Sequence, residues 1–177
     1  MNKRSLWTDI KFMLILSFIC GLLLGGTNLA IGKKGEISPN TISTIFSITN
    51  TNFNQNSIYE EFESEYKQLT KGRIKLWKNN KNGSIIACEA TGSGMWNEIT
   101  IVFVINLLDQ QIIGLQVTEE KETAGLGSKI REEEFTAQFT DKRFKNEVKV
   151  DAITGATTSS NSVEKLLNKA LYNINKL

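Results

Sequence analysis

The sequence contains no histidine, and that single absence removes a large share of enzyme chemistry. It excludes a Ser-His-Asp or Cys-His nucleophile, an imidazole general base, and His-ligated haem or zinc. Cysteine is almost as scarce. Cys20 and Cys88 are the only two, and neither sits in a CxxC pair. Four-thiolate iron–sulfur clusters and Cys-based zinc sites are therefore excluded within this chain. No disulfide is expected either, because Cys20 lies inside the longest apolar run. A surplus of one charge is also missing: 21 Lys and Arg stand against 19 Asp and Glu, a net charge of +2. A nucleic-acid binder would carry a basic excess gathered on one face. Hard chemistry in this chain needs a cofactor from outside it.

What the sequence does have begins with that apolar run. Residues 12–26 read FMLILSFICGLLLGG without one charge. With Ile10 before it and residues 27–31 after it, the stretch approaches the roughly 20 residues that span a bilayer core. Lys11 can snorkel toward headgroups. A cleaved signal peptide would need small residues at −3 and −1, which Asn28-Leu29-Ala30 fits poorly, and a lipoprotein signal would want a small residue where Ile19 precedes Cys20. Residues 1–31 are thus expected to be a cytoplasmic tip and a transmembrane anchor. Lys3, Arg4 and Lys11 precede the span while Lys33 and Lys34 follow it, a slight lean toward an exported C-terminal part.

The remaining residues suffice for one domain with its own core. Residues 32–70 read as a membrane-proximal spacer and helix: Ser, Thr and Asn dominate residues 32–55 around the only proline, Pro39. A short helix is expected over 41–49 and another over 59–69, where Tyr59, Phe62, Tyr66 and Leu69 recur about once per turn. From Arg73 the period shortens. Ile74 and Leu76 alternate, Asn79-Asn80-Lys81-Asn82-Gly83 marks a turn, and residues 84–90, 98–108 and 111–118 are β-rich. IVFVINL is apolar without alternation, as in a central strand covered on both faces. Residues 129–139 predict a helix, 148–150 a short strand, and 158–175 an amphipathic closing helix. The expected fold class is α+β: one N-terminal transmembrane helix, then a domain over 71–177 with a largely antiparallel sheet and a C-terminal helix.

Three strings carry candidate chemistry. Asp151-Ala152-Ile153-Thr154-Gly155-Ala156-Thr157-Thr158-Ser159-Ser160 follows a strand signal and opens the last helix. Small residues let backbone approach a ligand, helix N-terminal amides favour an anion, and four hydroxyls add donors. Ser and Thr also serve as ordinary N-caps at such junctions. Glu122-Thr123-Ala124-Gly125-Leu126-Gly127 predicts a tight turn, whether between two elements or against a ligand. Gly92-Ser93-Gly94-Met95-Trp96 is a turn whose Trp96 either plugs the sheet's end or faces a ligand. Glu132-Glu133-Glu134 reads as a solvated helix face, Cys88 as a small buried apolar residue, and Asp109 as part of a hairpin turn.

Taken in chain order, from Gly92–Trp96 through Glu122–Gly127 to Asp151–Thr157 before the last helix, the three strings resemble those of FMN-binding domains that carry FMN covalently. Asp151, Thr154, Gly155, Ala156 and Thr157 match the family's D-x-x-T-G-A-T flavinylation motif. The resemblance implies that a flavin transferase, using Mg²⁺ and FAD, places FMN on Thr157 as a phosphodiester, with Thr158 beside it. Glu122, Thr123, Gly125, Leu126 and Gly127 match a segment that lies close to the flavin in the family, and Gly94 and Trp96 match its G-x-G-x-W turn. Ala124 stands where a proline is common.

The anchor, spacer and domain together resemble the family of G subunits of the Rnf complex, an ion-translocating ferredoxin:NAD⁺ oxidoreductase. The resemblance implies an electron-carrying subunit, incomplete as an enzyme by itself, with FMN as cofactor. Its implied partners are the other membrane subunits and, during maturation, the flavin transferase. The C subunit of Na⁺-translocating NADH:quinone reductase shares the motifs and is the alternative within the family. A membrane-anchored structural or assembly subunit without flavin is the alternative outside it.

Overall fold

The structure is a computed structural model that describes residues 3–30, 37–70 and 73–176. It divides into two compact units, Met1–Glu36 and Ile37–Leu177. The first holds helix α1 (Lys3–Ala30). Its described side chains include Phe12, Met13, Leu14, Ile15, Leu16, Phe18 and Ile19, all exposed. Among the described residues no helix is long and apolar enough to cross a membrane. The N-terminal helix is present, and the expectation of a span goes beyond what is described. Residues 31–36, with Lys33 and Lys34, lie outside the described residues.

In the second unit, helices α2 (Pro39–Ile48) and α3 (Ile58–Glu65) come first. Strands β1 (Tyr66–Thr70), β2 (Ile74–Asn79), β3 (Ile85–Ser93), β4 (Glu98–Asn106) and β5 (Gln111–Glu119) follow. They pair in chain order as one antiparallel meander. Adjacent strands joined by short turns need no crossover, which suits the Asn-rich and Asp109-containing turn sequences. Asp109 does sit in the β4–β5 turn, where the Asn106 amide reaches it at 2.5 Å.

β4 explains why IVFVINL lacks alternation. Ile99, Ile101, Phe103 and Ile105 belong to one core cluster, and Val102 and Val104 to the other. The sheet is covered on both faces, so every second residue is apolar on each. Helix α5 (Thr157–Ile174) packs on β3 and β4 from one side, and α2 packs on β4 and β5. Cys88 is fully buried in the cluster that includes α5 residues, and burial pushes its thiol well above the ordinary value.

The segment expected to be a spacer supplies most of the smaller of the two core clusters. Ile42, Ile45 and Phe46 of α2 pack with Phe62, Tyr66 and Trp77, with Phe62 stacked on Tyr66 at 4.9 Å. α2 starts where Ser38 accepts the Thr41 amide and Pro39 occupies the first turn, where its missing N–H costs nothing. Glu89 of β3 ties this turn to the sheet. Its carboxylate takes the Thr41 hydroxyl at 2.5 Å and the Lys75 ammonium at 2.5 Å.

Three local expectations need correction. The helix over 59–69 ends at Glu65, and Tyr66 turns extended to pair with Asn79, because its ring is buried equally well from a strand. Residues 129–139 form a broken run rather than one helix: 3-10 turns at Gly127–Arg131 and Ala137–Phe139 flank the short α4 (Glu133–Thr136). Phe135 and Phe139 still meet edge-to-face at 5.4 Å, the packing their spacing predicts. No strand forms at 148–150. The Asn168 side chain of α5 instead bonds both the N–H and C=O of Val148, and Glu164 accepts the Val150 amide. Side chains satisfy backbone that a sheet would otherwise satisfy.

Candidate flavin site

The three motifs, far apart in the chain, meet at one carboxylate. Glu122 follows β5, is only 9% exposed, and reaches in two directions. Oε1 accepts the consecutive backbone amides of Met95, Trp96 and Asn97 at 3.1, 3.2 and 3.5 Å. Oε2 accepts the hydroxyl of Ser159 in the first turn of α5 at 2.8 Å. Successive amides pointing one way form a nest for an anion, and here the chain fills it with its own side chain. Burial raises the Glu122 pKa, but the Ser159 hydroxyl and the Trp96, Asn97 and Met95 amides outweigh it, leaving the group below the ordinary carboxylate range. The charge therefore stays on.

Glycines make room for this clasp. A Cβ on Gly94 would come within 2.7 Å of Ile99 Cδ1 and 2.8 Å of the Asn97 carbonyl. A Cβ on Gly127 would come within 2.8 Å of Glu122 Cβ and 2.9 Å of Ser159 Oγ. Between them the chain turns tightly: Thr123 C=O accepts the amides of Leu126 and Ser128, and Gly125 adopts φ +72°. Ala124 occupies this turn without a proline's constraint.

The α5 junction sorts its four hydroxyls by helix phase. Ser159 and Ser160 point inward and are 1% exposed, Ser159 bonded to Glu122 and Ser160 accepting the Ile153 amide. Neither is free for a ligand. Thr157 and Thr158 are exposed, and no side chain caps this helix end. Gly155 turns at φ +82° with Leu126 Cδ2 packed where its side chain would begin, so two of the motifs touch there as well. Asp151 and Thr154 lie elsewhere, in a cleft of about 470 Å³ that also takes in Lys129, Phe135 and Gln138. The Asp151 backbone is held there by both ends of the Gln138 amide. Trp96 is 67% exposed and plugs nothing; with Met95 and Leu126 it adds exposed apolar surface to the loops around the clasp.

Residues 94–172 match the FMN-binding domain family. That match takes in Gly94, Trp96 and the whole of the other two motifs, and it ends within α5. Over 66 residues the chain is 44% identical to the G subunit of the ion-translocating oxidoreductase complex of Methanosarcina acetivorans, a stretch covering 34% of this chain and 35% of that protein. Over 111 residues it is 28% identical to the C subunit of the Na⁺-translocating NADH-quinone reductase of Vibrio vulnificus, covering 52% of this chain and 44% of that one. The chain thus matches less than half the length of either curated relative. Its fold is like that of the Na⁺-translocating NADH-quinone reductase C subunit from Parabacteroides distasonis, with a TM-score of 0.55 at 18% identity over 75% of this chain and 90% of that one.

The exposed groups fit an FMN phosphate. Two free hydroxyls stand at an uncapped helix N-terminus, where amides without intrahelical partners and the helix dipole favour a negative charge. Exposed Leu126 and Trp96 offer apolar surface to a planar ring.

Of the clasp, sequence reasoning singled out Glu122 and Trp96, held Met95 and Ser159 only within their strings, and missed Asn97. It counted the Ser159 hydroxyl among donors for a ligand, whereas that hydroxyl donates to Glu122. The missing signal is intrinsic: the partners of Glu122 at 95–97 are backbone amides, which any residue but proline supplies.

Proposed function

We propose that this chain carries FMN covalently on Thr157 and passes electrons as a subunit of a membrane-bound, ion-translocating oxidoreductase of the Rnf type. One observation carries the reading: Glu122 draws Gly94-Met95-Trp96 and the turn before Gly127 onto the first turn of α5, leaving Thr157 exposed beside them. The phosphodiester would sit on the uncapped amides of α5, with Thr158 adjacent and Leu126 over Gly155. When bound, the isoalloxazine supplies the redox chemistry and the protein supplies attachment, orientation and surrounding charge. Asp151 and Thr154 line the neighbouring cleft, where a transferase carrying Mg²⁺ and FAD would engage the motif. Covalent attachment suits a cofactor that works outside the cytoplasm, since a dissociated flavin would be lost.

α1 would be the anchor, with a cytoplasmic N-terminus and the domain on the outer side of the cell membrane. Its exposed apolar residues occupy successive positions and so cover every face, and the uncharged sequence continues beyond residue 22. The C subunit of the quinone reductase is the second reading, supported by the longer 111-residue match.

The test is the intact mass of the denatured protein, made together with its flavin transferase. The expected result is a gain of one FMN less one water, on the peptide containing Thr157 and abolished by Thr157→Ala. An unmodified wild type, or flavin retained after Thr157→Ala, overturns the reading.

A further inference from the structure

Glu122 is an acidic residue placed where a flavin phosphate would bring a second negative charge, an arrangement that is costly unless the carboxylate does something there. Its geometry says what. Ser159 lies two residues after Thr157 in the same helical turn, so the Glu122–Ser159 bond fixes the turn that presents the Thr157 hydroxyl. The other carboxylate oxygen fixes the 95–97 turn. No other group described at the α5 N-terminus links it to that turn. The nest at 95–97 is thereby closed to an external anion, which leaves the α5 amides as the seat for the phosphodiester.

We propose that Glu122 is a positioning residue for flavin attachment: it holds the first turn of α5 and the 95–97 turn together before the flavin arrives, so that the Thr157 hydroxyl is presented in the geometry its attack on phosphorus requires. This rests on the covalent-FMN reading above. In that reaction a bond forms between Thr157 Oγ and the FMN phosphorus of the dinucleotide while the pyrophosphate P–O bond breaks. AMP leaves, and the hydroxyl proton goes to solvent. Glu122 takes no part in that bond exchange; Ser159 already donates to its nearer oxygen.

The variants separate positioning from plain stability. Glu122→Gln keeps an oxygen for the three amides and an amide N–H for the Ser159 oxygen. Ser159→Ala leaves Glu122 on the 95–97 amides but cuts the tie to α5. Glu122→Ala cuts both. A core variant distant from the site, Ile105→Val, serves as control, chosen with conditions that match the loss of thermal stability.

Two readouts apply to the full-length protein in detergent: amide hydrogen exchange of the flavin-free form, and the rate of FMN incorporation at Thr157 by purified transferase with FAD and Mg²⁺. Glu122→Ala should raise exchange at 95–97 by at least tenfold and slow incorporation by at least tenfold. Ser159→Ala should slow incorporation while leaving 95–97 protected, and Glu122→Gln should restore incorporation to within about threefold of wild type. The control should load at the wild-type rate. Incorporation in Glu122→Ala or Ser159→Ala no slower than in the stability-matched control overturns the proposal while leaving the covalent-FMN reading intact. A wild type that takes up no flavin with active transferase overturns both.

Discussion

Gly125 and Gly127 sit two residues apart in one turn, yet the structure assigns them different reasons for being glycine, and an alanine at each separates the two. At Gly125 the backbone has φ +72°, but a Cβ would meet nothing within 4 Å. Alanine there costs only the left-handed backbone penalty, about 1–2 kcal/mol. At Gly127 a Cβ would meet Glu122 Cβ at 2.8 Å and Ser159 Oγ at 2.9 Å. Overpacking alone costs about 1–3 kcal/mol. Moving aside also lengthens the Ser159–Glu122 bond, and a hydrogen bond to a charged group contributes about 1.5–3 kcal/mol. Gly127→Ala should therefore lose about 3–5 kcal/mol, two to three times the loss at Gly125. At about 2–4 °C per kcal/mol for a unit of this size, the two variants should differ by roughly 5–10 °C in melting temperature. Urea or thermal unfolding of the protein, followed by Trp fluorescence, measures this. Gly125→Asn should recover part of its smaller loss, because Asn tolerates the left-handed region; it has no counterpart at Gly127. Equal losses at the two positions would refute the close approach of the turn to Glu122 and Ser159.

Acid should act through the same carboxylate. The Glu122 pKa is lowered in the folded state, so its stabilisation is fully present above the unfolded value of 4.5 and fades as pH falls through the folded value. Stability measured against pH should fall more steeply below 4.5 in wild type than in Glu122→Gln. Asn168→Ala removes two hydrogen bonds to the Val148 backbone, at 2.9 and 2.8 Å, and leaves that backbone unpaired. It should cost about 2–3 kcal/mol in urea unfolding without changing flavin incorporation. Cys88, fully buried with its thiol pushed up by desolvation, should resist iodoacetamide in the native protein and react once denatured, as read by peptide mass.

Much of the fold was legible along the chain because it rests on local periodicity. β3, β4 and β5 lie within a few residues of their expected limits, and α5 was readable from Val163, Leu166, Leu167, Ala170 and Leu171 on one face. The candidate site was legible as three strings whose glycines, threonines and single tryptophan have few other reasons to recur in that order. Residues 37–70 were harder. Asn40, Ser43 and Ser47 take the outer side of α2 and Ser, Thr and Asn recur in the loop after it, so composition points to a spacer, while Ile42, Ile45 and Phe46 are buried together with Thr41 and Thr44. Only a sheet with two apolar faces demands that cover, and that demand arises from Val102 and Val104 of β4, far along the chain from α2.

What the sequence alone determined is the set of chemical groups: no histidine, no thiolate cluster, and a threonine in a small-residue turn opening a helix. Tertiary structure decided which of those groups are free. Helix phase turned Thr157 and Thr158 outward and Ser159 and Ser160 inward, and the position of Glu122 at the end of β5 brought it against both the 95–97 turn and α5. A carboxylate's partners depend on which backbone amides happen to lack other acceptors once the sheet has closed, and no spacing in the chain encodes that.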